Sequence, residues 1–199
     1  MRTFIAVFPP PEVRREALEW ARRLSSDDRV RWTRPENVHL TLKFLGEVRA
    51  EALDGIRAAL GEVCAEHASF DAPLAKLGAF PSAQRAKILW ISVGAGSDRL
   101  RSLAADIDDA LAPLGFDREK RPYVPHLTIG RARGRPLSLG LPSSVEGLGF
   151  RVGRVELTES TLTAEGATYR TIEDFALGGK REDGGLDSDE GTDIHQDKE

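Results

Sequence analysis

The amino-acid sequence predicts an α+β fold, and three observations lead there. Strand-like segments follow one another with no helix between them at two places in the chain. Three other segments carry apolar residues at helical spacing. One nine-residue motif occurs twice, which divides the chain into two similar halves. A doubly wound parallel sheet would instead separate every pair of strands by a helix.

In order along the chain, Thr3–Phe8 is a short apolar, β-branched run closed by three prolines, hence a strand. Val13, Ala17, Ala21 and Leu24 recur at helical spacing over Glu12–Leu24, with Arg14, Arg15, Glu19 and Arg22 on the other faces. His39–Leu45 is the next strand, with room for one more before the second helix, Glu47–His67, whose stripe is Leu53, Ile56, Leu60 and Val63. Phe70–Ala79 and Ala86–Val93 are strands joined by a Phe80-Pro81-Ser82-Ala83 turn. Ser97–Leu114 is a third helix, with Ser97 as its N-cap and Leu100, Leu103, Ile107, Leu111 and Leu114 facing inward. Pro125–Arg133, Phe150–Thr163 and Ala167–Leu177 close the ordered part as strands, giving one bilobal domain over residues 1–177. The aromatics Trp20, Trp32 and Trp90 are expected in the core or between the lobes.

The repeat is the informative feature. Arg34-Pro35-Glu36-Asn37-Val38-His39-Leu40-Thr41-Leu42 aligns without gaps on Arg121-Pro122-Tyr123-Val124-Pro125-His126-Leu127-Thr128-Ile129, with five of nine positions identical. Two of the four histidines in the chain therefore hold equivalent places. In an extended segment His39 and Thr41 share one face while Leu40 and Leu42 share the other, and the second copy mirrors this. Packing explains repeated leucines; it does not explain repeated imidazole and hydroxyl groups on the opposite face. If the two polar faces line one cleft, the pocket holds two imidazoles and two hydroxyls. Near neutral pH such a pair can hold one protonated and one neutral ring, which supplies an acid and a base for in-line hydrolysis of a phosphodiester. The threonines can donate to non-bridging phosphate oxygens.

Composition narrows the alternatives. Among 199 residues, 40% are hydrophobic and 28 Lys+Arg stand against 32 Asp+Glu, for a net charge of −4. Eight acids and three bases lie from Gly178 onward, in a stretch with too few apolar residues to fold, read as a disordered acidic tail over 178–199. Residues 1–177 keep 25 bases and 24 acids, with Arg118, Lys120, Arg121, Arg131, Arg133 and Arg135 gathered around His126. Cys64 is the only cysteine, so no intramolecular disulfide and no cysteine zinc site can form. Neither histidine motif has a second ligand on its face, Glu36 and Glu47 being at unsuitable offsets, so no metal and no cofactor is expected. The apolar start is too short for a secretion signal or a membrane span, which places the chain in the cytoplasm with no membrane partner.

The two motifs resemble the paired H-x-T-x signatures of the 2H phosphoesterase superfamily. More narrowly, the chain is similar to the RNA 2′,3′-cyclic phosphodiesterases, also called 2′-5′ RNA ligases. The similarity runs from Arg2-Thr3-Phe4-Ile5-Ala6-Val7 through His39-Leu40-Thr41-Leu42-Lys43-Phe44-Leu45-Gly46 and Gly78-Ala79-Phe80-Pro81-Ser82 to Pro125-His126-Leu127-Thr128-Ile129-Gly130-Arg131. Leu157-Thr158-Glu159-Ser160 and Gly166-Ala167-Thr168-Tyr169 continue it.

The resemblance implies a pseudo-twofold pair of mainly antiparallel sheets with flanking helices around a central cleft; a monomer is expected. It implies metal-independent hydrolysis of RNA 2′,3′-cyclic phosphate ends to 2′-phosphomonoesters, and some family members join tRNA half-molecules in reverse. By the same resemblance His39 is the proton donor to the leaving 3′ oxygen and His126 the proton acceptor. The residues alone assign an acid and a base without saying which is which. Arg131 matches the family's phosphate-binding arginine, although strand parity turns it away from His126 unless a bulge intervenes. Tyr169 and Phe44 are candidates for stacking on a base, Phe44 against its parity, which groups it with Leu42 on the core side. Two other readings stand beside this one: a 2H phosphodiesterase acting on 2′-5′ oligonucleotides or an ADP-ribose cyclic phosphate, and a nucleotide- or RNA-binding module without turnover.

Overall fold

Consecutive prolines end β1 (Arg2–Val7) and open α1 (Pro11–Leu24), where the missing amide hydrogen of Pro11 costs the helix nothing. The computed structural model describes residues 1–24, 27–140, 144–164 and 166–178; the acidic tail expected beyond Gly178 lies outside the described residues. The remaining elements are β2 (Val30–Trp32), β3 (Leu40–Glu47), α2 (Leu53–Glu66), β4 (Phe70–Phe80), β5 (Ile88–Val93), α3 (Ser97–Leu111), β6 (His126–Ala132), β7 (Gly149–Val152), β8 (Arg154–Thr163) and β9 (Gly166–Ala176). Among the described residues no helix is long and apolar enough to cross a membrane.

The fold is α+β, as its sequence predicts. Strands run in the order β7-β4-β5-β6-β3-β1-β8-β9, all paired antiparallel, with β2 on β6. Along that order four strands lie on each side of the β3–β6 contact, with β2 a fifth on the β6 side, and the repeated motif supplies both strands of that junction. The helices cover the apolar faces: α2 packs on α3, and α3 on β3. Ile56, Leu60, Leu100, Leu103, Ile107 and Leu111 meet Leu40, Leu89, Ile91 and Leu127 in a core that water does not reach.

Several boundaries depart from the sequence expectation for identifiable reasons. The segment Phe150–Thr163 is two strands, because Gly153 is where the chain leaves β4, the partner of β7, and begins to pair with β1 and β9. The second helix begins at Leu53, after a turn of 3₁₀ helix over Ala50–Ala52, because Glu47 still belongs to β3 opposite Arg2. Gly96, with φ of +91°, caps α3 in place of Ser97, whose hydroxyl donates back to the Val93 carbonyl at 2.7 Å. Leu114 falls in a 3₁₀ turn past the end of α3 and is exposed.

One irregularity recurs in both halves. Partners step from Ile5–Lys43 to Ala6–Thr41 between β1 and β3, and from Leu89–Gly130 to Trp90–Thr128 between β5 and β6. Leu42 and Ile129 are thus β-bulges, and they are equivalent positions of the repeat. A bulge places two successive side chains on one face and inverts the parity of everything after it. In β3 this buries Lys43 beside Leu42. Its ammonium pairs with Asp108 of α3 and donates to the Asp117 carbonyl at 2.7 Å, while Asp108 accepts the Glu119 amide at 3.0 Å.

Removing the carboxylate leaves a buried ammonium without its counter-charge, whereas removing the ammonium leaves a carboxylate nearer to solvent. Asp108→Ala is therefore expected to lower stability by about 3 kcal/mol, and Lys43→Met by less. Urea unfolding of the two variants checks the order; an Asp108→Ala protein as stable as its parent contradicts it.

Candidate active site

The period of two along a strand and the register at the junction together assemble the site. β3 and β6 pair antiparallel at Leu40 and Leu127. Continuing that register one residue each way sets His39 across from Thr128 and Thr41 across from His126. Side chains directly opposite in such a pair have Cβ atoms about 5 Å apart. Both leucines are fully buried on the far face, so the four polar groups stand together on the near one. Neither threonine hydroxyl is engaged by a protein group among the described residues.

Each ring is oriented in the same way. The Nδ1 of His39 lies 2.8 Å from the carbonyl of Asn37, and the Nδ1 of His126 lies 2.7 Å from the carbonyl of Val124. A carbonyl only accepts, so the Nδ1 of each carries the hydrogen and Nε2 is the atom left for chemistry. Asn37 is itself tied down, donating through Nδ2 to the Ala167 carbonyl at 2.8 Å. Arg14 supports the same turn through the Glu36 carbonyl at 3.1 Å.

Aromatic rings wall both imidazoles. Phe4 and Phe8 of the β1 segment sit 5.0 and 5.2 Å from His39 between centroids, and Tyr169 meets His39 edge-on at 5.2 Å. Phe80 and Trp90 sit 5.2 and 5.9 Å from His126. Trp90, expected in the core or between the lobes, lies on the cleft face: it pairs with Thr128, and its indole covers Gly78 so closely that any Cβ there would collide with it. These walls make the site less watery than an open cleft, which penalises charged rings. Burial, aided by the nearby charges of His126 and Arg14, pulls His39 down to about 4 against the opposing pull of its carbonyl bond. Burial also lowers His126, and the Arg131 guanidinium lowers it further. Both rings are neutral at pH 7 in the protein by itself.

The bulges place the remaining candidates. Past Ile129, Arg131 returns to the face of His126 and Thr128, opposite Ile88, and its charge is felt by both His126 and Tyr169. Past Leu42, Phe44 leaves the core side that parity assigns it; it is 63% exposed, pairs with Phe4 and has its ring 6.2 Å from that of Phe4. Phe44 and Arg131 are thus equivalent positions of the repeat, at opposite ends of the site. Tyr169 of β9 joins the His39 end, 5.0 Å from Phe4. The walls Phe4, Phe8, Phe80 and Trp90, and the supports Asn37 and Arg14, are absent from the sequence expectation. Equal parity of Phe4 and Phe8 beside a polar-faced strand is the signal that could have found the first two. Among the described residues no three His, Cys, Asp or Glu side chains gather as metal ligands.

Comparison with known proteins gives a consistent placement. The profile of the LigT-like phosphoesterases matches the chain twice in succession, over residues 7–90 and 91–169, one match to each half. An Aquifex aeolicus protein named RNA 2′,3′-cyclic phosphodiesterase is 31% identical over 186 residues, covering 90% of this chain and 98% of that protein. The crystal structure of TT0787 of Thermus thermophilus superposes with a TM-score of 0.80 at 28% identity, over 90% of this chain and all of that one. E. coli LigT complexed with 3′-AMP gives 0.77 at 25% identity, over 88% of this chain and 97% of that one.

The neutral His39 has a consequence for stability. Its folded pKa lies below the value of about 6.5 in an unfolded chain, so its contribution is complete above that pH and is lost as pH falls toward 4. The parent protein is expected to lose stability between about pH 7 and pH 4.5, and His39→Gln to reduce that loss by about 3 kcal/mol at most. Thermal unfolding followed by circular dichroism at both pH values tests this; equal losses in the two proteins contradict it.

Proposed function

The chain belongs to the LigT-like phosphoesterase family, and from that membership we propose that it hydrolyses RNA 2′,3′-cyclic phosphate ends to 2′-phosphomonoesters. The observation that carries this reading is the junction register, which supports two imidazoles and two hydroxyls on one face. Such a set fits a single phosphate, with a ring on either side of it and a hydroxyl beside each ring.

In the proposed reaction His126 Nε2 takes a proton from water as the oxygen attacks phosphorus. The bond from phosphorus to O3′ breaks in line, and the His39 imidazolium delivers its proton to that oxygen. Thr41, Thr128 and Arg131 donate to the non-bridging oxygens as charge builds on them. The His39 proton requires the substrate: an opposite charge at hydrogen-bond range lifts a pKa by about 1 to 3. The anionic phosphate thus brings His39 from about 4 toward the range where an imidazolium persists near neutral pH. Tyr169 offers a face to the terminal base, and Phe44 offers one to a base of the strand. With the 5′-hydroxyl of a second RNA strand, such as a tRNA half, in place of water, the same transfer forms a 2′-5′ linkage. Every step of the proposed reaction is carried by side chains and calls for no metal.

An oligoribonucleotide ending in a 2′,3′-cyclic phosphate is therefore expected to yield a 2′-phosphate end in the presence of EDTA. His39→Ala and His126→Ala should each reduce kcat by a factor of about 10² to 10⁴. Parental rates in either variant, or loss of activity on chelation, would overturn the assignment.

The pH profile follows from the free enzyme. Both rings titrate below their usual range, and the active form needs one proton on the pair. kcat/KM is expected to fall as pH rises from about 6.5, while the alkaline limb of kcat lies at higher pH because the bound phosphate favours the imidazolium. A kcat/KM that climbs through pH 8 is the contrary result.

A further inference from the structure

The reaction makes no use of Lys43, yet the fold buries its ammonium, which needs a reason. The segment it holds gives one. Lys43 and Asp108 fix the Gly115–Arg121 loop at two backbone points, the Asp117 carbonyl and the Glu119 amide. The loop then stands across from Phe44, and between them runs an open groove of about 590 Å³, the size of a small-molecule site. Phe44 forms one wall, and Arg118, Lys120 and Arg121 stand on the other, with Asp117 and Glu119 between them. Arg118 is paired with Asp109 at 2.7 Å, whereas Lys120 and Arg121 are exposed and hold no ion pair among the described residues. The chain runs directly from Arg121 through Pro122–Pro125 to His126, so the groove adjoins the cleft at the His126 end, away from Arg131.

An exposed aromatic facing two cations that hold no ion pair among the described residues has the makings of a single-strand track, where a base stacks and the backbone phosphates meet positive charge. We propose that this groove binds the RNA strand next to the reacting end, with Lys120 and Arg121 on its backbone phosphates and the neighbouring base on Phe44. This inference rests on the cyclic phosphodiesterase reading and adds to it: the groove makes a polynucleotide a better substrate than the terminal nucleotide alone. The buried ion pair of Lys43 is then the device that holds the track rigid.

The test compares adenosine 2′,3′-cyclic phosphate with a short oligoadenylate carrying the same end. The parent is expected to show a KM for the oligonucleotide about tenfold lower at low salt, rising with salt more steeply than that of the mononucleotide. The double variant Lys120→Ala/Arg121→Ala should raise the oligonucleotide KM about five- to tenfold and flatten its salt dependence, with mononucleotide kcat/KM held within about twofold. Unchanged mononucleotide turnover also shows that the variant is folded. Equal KM and equal salt dependence for the two substrates in the parent overturn the track while leaving the phosphodiesterase reading intact. So does a variant that impairs both substrates alike. Failure of the parent to open either cyclic phosphate overturns both.

Discussion

Everything in the site depends on a single register, that of the β3–β6 junction at Leu40 and Leu127. Strand pairing by itself tolerates a slip; burial does not. A shift of either strand by one residue would bring its histidine and threonine into the core and its leucine into the cleft. With Leu40 and Leu127 both fully buried, either slip sacrifices apolar burial on the strand that moves and traps an imidazole in hydrocarbon. The core behind the sheet therefore sets the geometry in front of it. The orientation of each ring follows from the same constraint, since each accepting carbonyl belongs to the residue two positions before its histidine.

The repeated bulges show how two equivalent halves acquire different roles. After Leu42 the buried position is Lys43; after Ile129 it is Gly130. A side chain at Gly130 would press on Val30, with a Cβ only 2.9 Å from its methyl carbon, so the glycine lets β2 lie against β6. Lysine at the other copy reaches instead into α3 and its following loop. One step further along, the parity inversion delivers Phe44 at one end and Arg131 at the other. The symmetric part of the repeat provides two imidazoles and two hydroxyls, and the asymmetric part provides an apolar face and a cation.

How much of this the sequence discloses depends on where the information resides. Alternation within His39–Thr41 and His126–Thr128 is local, so the polar face, the apolar face and the pairing of the motifs can be read directly. Helical stripes are legible for the same reason, except where Leu114 continues the pattern past the end of α3. A bulge is a property of two strands together, and no count along one of them locates it; hence parity groups Phe44 with the core and leaves Arg131 conditional. The division of the late strand at Gly153 likewise reflects a change of partner. Phe80 and Trp90 are beyond reach because they come to His126 from β4 and β5, over sequence separations that only the assembled sheet closes.

The placement of charge around the histidines fits a site that is completed by its ligand. Aromatic walls and a buried setting keep both rings neutral, so the cleft by itself holds a pair of bases and no resident acid. A guanidinium at the bottom of the cleft would depress both rings further and make an imidazolium harder to form even with substrate present. Arg131 stands instead on an exposed stretch at the rim, where it can meet an incoming anion and where its charge depresses His126 but not His39. An anion seated between the rings reverses the balance, because its negative charge favours the imidazolium that the protein disfavours. In the proposed reaction the acid is thus generated where and when the phosphate binds, which ties protonation of the pair to occupancy of the site.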